Sequence, residues 1–374
     1  MKTEKLQVVR FAPKGRESFY DAVTADVNTY FETNNVSPYA NKEMWIKTIV
    51  MLLIYFIPYV FIVAGLARDS LWLFWGLWFL MGCGMAGMGT SIMHDANHGA
   101  YSARKKTNNF ISHIIEIIGG YTVTWRIQHN ILHHTYTNIG GLDEDIEAGM
   151  LLRFSPHSKK LAIHRYQHIY AWILYGLLTL QWATIKDYKL LLHYHQNELL
   201  KKQRISMRKA LLQLTGIRIF YFSYLLVIPL LFSGMPWYVV LAGFFIMHFI
   251  AGFFLSCIFQ PSHIMETSTF SSPVATESVK RMKDSWAVHE LANTTDFAPH
   301  NRLLCWFSGG LNYQIEHHLF TGICHVHYPK IASIVKAKAE EFGLPYHVQP
   351  TFLRALSEHA RMLKKLGRMD GPGC

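Results

Sequence analysis

Histidines at helical spacing are the chemistry-bearing residues of this chain. His129, His133 and His134 stand in the stretch QHNILHHTYTNIGGLDED, residues 128–145. Four-residue spacing puts His129 and His133 on one helical face, and His134 lies about 100° further round the same turn, so three imidazoles can converge on one point. His94 and His98, in HDANH, repeat the spacing upstream, and Gln314, His317 and His318, in QIEHH, form a third cluster far downstream. His263 stands alone in FQPSH. Imidazole binds zinc, copper, iron and nickel, and mixed histidine and carboxylate sites with open positions suit iron that handles oxygen. A catalytic zinc site takes about three protein ligands. The seven clustered histidines and His263 make eight, too many for one zinc and right for two metals. The pattern points to one His-rich di-metal centre assembled from the whole chain.

The elements that must position these residues are membrane-type segments. The chain has 374 residues, 14% aromatic and only 16% charged, with long apolar runs, the composition of an integral membrane protein. Spans are expected at about 46–67, 71–93, 217–232 and 235–259, each near the ~20 residues needed to cross. They pair as two hairpins, turning at Arg68-Asp69-Ser70 and at Ser233-Gly234-Met235-Pro236. Gly82, Gly84, Gly87 and Gly89 let the second span pack closely. The second span runs straight into HDANH. Residues 99–128 read as an interfacial helix. The apolar run 169–185 is tempting as a fifth span, but a single crossing there would put the second and third clusters on opposite sides of the bilayer, so it is read as lying on the membrane surface. With both hairpins pointing outward, every Lys and Arg except Arg68 falls on one side, the cytosol by the positive-inside rule, and so do all the histidine clusters. The net charge of +11 is therefore membrane topology; no basic run interleaves with aromatics, and nucleic acid is not an expected partner.

The expected fold is all-α: four transmembrane helices as two hairpins plus interfacial helices, capped by a cytosolic helical domain carrying a di-iron site. Residues 1–44 form a cytosolic N-terminal segment with an amphipathic helix through Phe19, Val23, Val27 and Tyr30; 45–328 the membrane domain; 329–374 a cytosolic tail of two helices split by Gly343-Leu344-Pro345, the second with Phe352, Leu353, Leu356 and Leu363 along one side. The apolar runs begin behind a long polar leader, which speaks against a cleaved signal peptide. The five cysteines form no CxxC pair, and Cys374 is last, not fourth from the end as a prenylation box requires.

The three boxes in order, a spanning hairpin between the second and third, and His263 at the end of the fourth span resemble the membrane-bound fatty acyl desaturases, from roughly residue 45 to 330. Gln314 at the head of the third box, in GGLNYQIEHHLF, resembles the front-end (delta-5/delta-6, linoleoyl-CoA desaturase-like) branch, which inserts a double bond between an existing one and the carboxyl end. Thr321 departs from the Pro usual there, and the leader lacks the His-Pro-Gly-Gly stretch of a fused cytochrome b5 domain. The resemblance implies an oxidoreductase that introduces a cis double bond into a long-chain acyl-CoA or acyl-lipid. It implies two non-haem iron ions held by His94, His98, His129, His133, His134, His263, His317 and His318, O2 as co-substrate, and electrons from a separate ferredoxin or cytochrome b5 with its reductase. Localisation would be multi-pass, with the site on the cytosolic face (of the plasma membrane in a bacterium). Redox-active iron is needed because an unactivated acyl C–H bond has no acidic proton for a base to take.

Around the ligands, Asp95, Asn97 and Glu316 are expected to hold imidazole N–H groups, Gln314 either to bind metal weakly through its amide oxygen or to orient water or a neighbouring imidazole, and Asp143 and Asp145 are either imidazole partners or solvated loop carboxylates. His289-Glu290 resembles the start of HExxH, but Asn293 replaces the second His, so His289 is read as near-site or surface. Trp125, Trp286 and Trp306 are read as interface anchors or tunnel walls. His164, His168, His193, His195, His325 and His327 are read as surface residues. Competing functions are an acyl hydroxylase, conjugase or ketolase, or a sphingolipid desaturase, on the same scaffold. Of different classes, a zinc metalloprotease is disfavoured by the missing HExxH. A bis-His cytochrome is disfavoured because His248 has no second histidine in the spans.

Overall fold

The computed structural model describes residues 9–13, 18–147, 149–270, 274–276 and 279–370; Cys374 lies outside them. It is mostly helical, and four helices are long and apolar enough to cross a membrane: Lys42–Val63, Leu71–His98, Met207–Phe232 and Trp237–His263. Each expected span falls on one of these candidate helices, with shifted ends. The first begins earlier because the Asn41 side chain caps it, accepting from the Met44 amide at 3.1 Å. The third begins at Met207, ten residues before its apolar stretch, because the Ser206 hydroxyl caps the helix there. The second and fourth run on past their expected ends to include His94, His98 and His263.

The spans pack on a core that includes Met51, Tyr55, Trp78, Met81 and Met247. Glycine makes the approach possible. A Cβ at Gly82 would lie 2.7 Å from the Met247 carbonyl oxygen, and one at Gly84 would lie 2.9 Å from the Tyr55 nitrogen. The run 169–185 lies within helices Gln167–Gly176 and Leu178–Gln181 and a π-turn Trp182–Lys186. It packs along the fourth span, where the Thr179 hydroxyl donates to the His248 carbonyl at 2.8 Å.

The N-terminal helix Phe19–Thr33 buries Phe19, Val23, Val27 and Phe31, the last in place of Tyr30, against helix Tyr328–Glu341. In helix Phe352–Arg368 the buried side is Ala355, His359, Met362, Leu363 and Leu366, while Leu353 is exposed. The all-α expectation misses short strands. Val9–Arg10 pairs parallel with Val279–Arg281, which pairs antiparallel with Val274–Thr276; Asp296–Phe297 pairs parallel with Val348–Gln349. Strands this short show no alternating pattern of readable length.

Candidate metal centre

Four stretches deliver eight imidazoles to one place. The second span passes through a π-helical turn, Met88–Ile92, into Met93–His98 and stops at Gly99, whose φ of +82° closes the helix. His129 and His133 lie in a second π-helical stretch, Arg126–His133, and His134 follows directly. His263 ends the fourth span. Helix Gln314–Leu319 carries His317 and His318. It is brought in by Gly309, where a Cβ would lie 2.3 Å from the Thr90 carbonyl oxygen of the second span. Only glycine allows the third box to press so closely on the first.

The imidazoles meet ring to ring. Centroids are 4.6 Å apart for His94–His317, 4.7 Å for His98–His134, 4.3 Å for His134–His318 and 4.7 Å for His133–His263. Possible ligand atoms of His94, His98, His129 and His317 lie within 4.8 Å of one another; so do those of His133, His263 and His318, and His134 groups with His317 and His318. That is room for two ions, with His134 beside both. The donor set fits. His98 Nε2, His133 Nε2, His134 Nδ1, His263 Nε2, His317 Nε2 and His318 Nε2 are buried without a hydrogen-bond partner. His129 Nε2 faces His94 Nε2 at 3.1 Å and His134 Nε2 at 3.2 Å. Buried polar atoms are normally satisfied, and this many bare nitrogens among clustered imidazoles fit the ligation of cations.

A second layer fixes the rings. Asp143 lies 3.1 Å from His133 Nδ1, and Asp145 lies 3.5 Å from the same nitrogen. Glu290 accepts from His318 Nδ1 at 2.7 Å and from the Thr137 hydroxyl at 2.8 Å. The Asn293 carbonyl faces His263 Nδ1 at 3.3 Å, and the Tyr328 hydroxyl faces His317 Nδ1 at 3.4 Å. Each such contact leaves the other nitrogen for metal. Burial holds His134, His317 and His318 far below the usual histidine range and His129 at about 3 despite Asp145. Neutral imidazole is the form that binds metal. At His133 burial also pulls down, but Asp143, with Asp145 and Glu290, outweighs it and raises the group to about 9. Burial lifts Glu290 to about 8 against its bond from Thr137 and the charge of His133.

Not every expected neighbour sits on an imidazole of the boxes. Asp95 binds His325 Nδ1 at 2.8 Å and comes no nearer than 3.9 Å to His94 Nδ1. Asn97 accepts from Arg126 Nε at 2.8 Å and donates to the Met93 carbonyl. Glu316 accepts from the Tyr346 hydroxyl at 2.9 Å. Gln314 is fully buried, with both amide atoms unpartnered. Asp143 and Asp145 are imidazole partners and not solvated carboxylates. His289 is buried beside the site, its Nε2–H donating to the Thr137 carbonyl at 2.7 Å. Trp125 packs on His94, His98 and His129, Trp286 donates to the His134 carbonyl at 2.9 Å, and Trp306 lies under the Lys47 ammonium.

Three histidines read as surface residues are buried: His164, His325 and His327. His325 is the informative one, because its Nε2 meets Lys47 Nζ at 2.6 Å while its Nδ1 meets Asp95. A lysine at the start of a span reads as a surface anchor, so nothing in the sequence announced that pair. Glu290 was also missed, although its place after His289 had drawn notice for another motif. His248, in the fourth span, is satisfied by Tyr221 at 2.9 Å and Thr179 at 3.0 Å.

Four candidate membrane helices and eight converging imidazoles together have the donor set of a His-rich membrane metal centre. Its residues 70–350 match the family model described as fatty acid desaturase. The "sn-1 linoleoyl-lipid 6-desaturase" of Arthrospira platensis is 36% identical over 91% of this chain and 90% of its own length. The enzyme of the same name from Synechocystis is 32% identical over 96% of this chain and 98% of its own. The "Acyl-lipid (8-3)-desaturase" of Physcomitrium patens is 33% identical over 98% and 76%. The chain belongs to the fatty acid desaturase family and is an oxidoreductase. Its resemblance to the front-end branch is borne out by these relatives.

Proposed function

We propose that this chain is an O2-dependent di-iron desaturase that places a cis double bond in an already unsaturated acyl chain esterified to a membrane lipid, on the carboxyl side of the existing bond. The observation that carries the reading is the set of bare, buried imidazole nitrogens that the ends of the second and fourth candidate spans bring together with the stretches 126–136 and 314–319. The lipid-linked substrate is supported by the names of the two cyanobacterial relatives, and the cytosolic placement by the distribution of Lys and Arg about the hairpins.

His94, His98, His129 and His317 would hold one ion, and His133, His263 and His318 the other, with His134 between them. When bound, two ferrous ions supply the reduction of O2 needed to break unactivated C–H bonds. The net reaction consumes one O2, two electrons and two protons and takes two hydrogens from adjacent methylenes, giving an alkene and two waters. The chain's own part is positional. Asp143 and Glu290 keep the Nδ1 protons of His133 and His318 and so turn each Nε2 to the metal. Burial excludes water from the reacting methylenes, and Gln314, fully buried with a free amide, is placed to hold water or orient a neighbouring ring. Electrons come from a separate carrier.

The test is expression in a host that lacks front-end activity, fed linoleate or α-linolenate. Gas chromatography of each lipid class should show a new double bond toward the carboxyl end first in glycerolipid, and purified protein should hold about two iron per chain. A hydroxylated product would move the chain to the hydroxylases of this scaffold. Product appearing first in acyl-CoA would overturn the lipid-linked substrate, and one zinc or a Soret band would overturn the centre itself.

A further inference from the structure

The described surface next to the second histidine box carries an unpaired basic ridge. Arg10 and Arg281 are aligned residues of a parallel strand pair, both exposed, and Lys283 is exposed beside them. None of the three has an ion pair among the described residues, and Asp284 is the single carboxylate in the stretch 281–285. Like charges held opposite one another across strands are mildly destabilising by themselves, and an acidic partner would relieve them.

Beneath the ridge, two short routes reach the metal ligands. Phe11, next to Arg10, stacks on Tyr136 at 6.3 Å and meets His289 at 5.3 Å. His289 Nε2 lies 2.7 Å from the Thr137 carbonyl, and the Thr137 hydroxyl reaches Glu290, which holds His318. Three residues past Lys283, the half-buried Trp286 packs edge-on to Tyr20 at 5.3 Å, and its indole N–H donates to the His134 carbonyl at 2.9 Å. Of other exposed basic groups, Lys105 and Lys106 open helix Lys105–Ser112, and Arg208 and Lys209 stand in the first turn of the helix that begins at Met207. The ridge at Arg10, Arg281 and Lys283 sits over groups that touch the backbone of His134 and Thr137.

We propose that the Arg10–Arg281–Lys283 ridge is the docking surface for an acidic one-electron carrier protein, and that Trp286 conducts its electron to the centre through the His134 backbone. The proposal rests on the di-iron desaturase reading. Each docking event oxidises one reduced carrier by one electron and reduces the centre by one, so two events supply the two electrons consumed per double bond. The charges govern encounter and the indole governs transfer, which separates their effects.

The experiment is stopped-flow reduction of the iron-loaded full chain in detergent, with reduced [2Fe–2S] ferredoxin, reduced cytochrome b5 or dithionite as the electron source. The combined Arg10→Glu, Arg281→Glu and Lys283→Glu variant should lose about tenfold or more in the second-order rate constant with a carrier at low salt. The deficit should shrink as salt is raised, and the rate with dithionite should match wild type. Trp286→Leu should keep the salt dependence and iron content but lower the limiting rate at saturating carrier, with Trp286→Phe also slowed because it loses the N–H to His134. A charge-reversed chain reduced as fast as wild type at low salt overturns the docking surface. Equal slowing of Trp286→Leu with carrier and with dithionite overturns the conducting role and marks a structural one. Wild type that holds two iron and is reduced by dithionite but by neither carrier also overturns the docking surface, leaving the desaturase reading intact. A chain that binds no iron fails that reading first and this one with it.

Discussion

Replacing Glu290 by Leu tests whether the second layer holds the centre. Glu290 is fully buried and accepts from His318 Nδ1 at 2.7 Å. Leu matches its bulk, so the cavity term is small and the loss is the acceptor. Thr137 keeps a partner in the His133 carbonyl at 2.7 Å, which leaves His318 as the group in difficulty. Its Nδ1–H either stays unsatisfied, at about 1–3 kcal/mol for a buried donor, or the proton moves to Nε2 and blocks the nitrogen that faces the metal. Both lower iron affinity. Losses of this kind run to roughly 10–100-fold, which at 1.36 kcal/mol per tenfold is about 1.4–2.7 kcal/mol, within the range expected for the unsatisfied donor. Glu290→Gln keeps a carbonyl acceptor and should hold iron to within a few-fold of wild type. The assay is iron retention, by mass spectrometry, across a graded chelator series, with thermal unfolding of the same samples as a check on folding. If Glu290→Leu retained iron against the same chelator concentrations as wild type, the inference from second-layer geometry to metal affinity would be refuted.

Gln314→Leu should raise the thermal midpoint of the iron-free protein, because it removes a buried amide with no partner worth about 1–3 kcal/mol, while turnover falls; a variant with lower stability and normal turnover would contradict both halves. Lys47→Met breaks the buried Lys47–His325–Asp95 chain and should destabilise by about 3–5 kcal/mol, read by chemical denaturation in detergent, with Lys47→Arg intermediate. Iron-free protein should lose stability on acidification. His129, lowered to about 3, and the lowered His134, His317 and His318 contribute stability that is full above the unfolded value near 6.5 and is lost as pH falls toward their folded values, so the thermal midpoint should drop steadily below pH 6.5 and a flat profile would count against four buried neutral imidazoles. A topology reporter after Gly234 should read extracytoplasmic, and reporters at Asp145, Lys201 and after Arg368 cytosolic; an extracytoplasmic signal at Lys201 would mean that 169–185 crosses alone.

The spans were legible because about twenty apolar residues in a row have few other meanings, and the boxes because four-residue spacing is the helix repeat. Their convergence was read from three clusters each lying beside a membrane-type segment, and it is what placed the run 169–185 on the membrane surface. Span ends were less legible, since Ser206 and Asn41 set them by capping, outside the apolar stretch. The π-turns at Met88–Ile92 and Arg126–His133 leave no mark in composition. The surroundings were less legible. Asn97 lies inside HDANH and Glu316 inside QIEHH, yet each turns to partners outside the boxes, because a helix points neighbouring residues in different directions. Asp95 binds His325 closely while reaching His94 Nδ1 at 3.9 Å. The imidazole partners Asp143, Asp145, Glu290 and Tyr328 come from separate segments, and of these only Asp143 and Asp145 stand close enough to a box in sequence to suggest the role. His325 was misread because burial of a polar side chain depends on tertiary neighbours such as Lys47, which a local reading does not contain.

The close seat of Gly309 on the second span has a consequence in time. A ribosome makes the chain from the N-terminus, so His94, His98 and the three histidines of the second box leave it long before the fourth span or the third box exists. Until Gly309 meets Thr90, the early histidines have no cage to close around them. On the proposed reading, metal loading is therefore the last act of assembly, and the ions tie together the inner ends of two hairpins that insert separately. A cell short of iron would then accumulate chains with correctly inserted spans and a loosened histidine-bearing end, open to proteolysis there first, so that the abundance of this enzyme follows the iron supply even when its synthesis does not change.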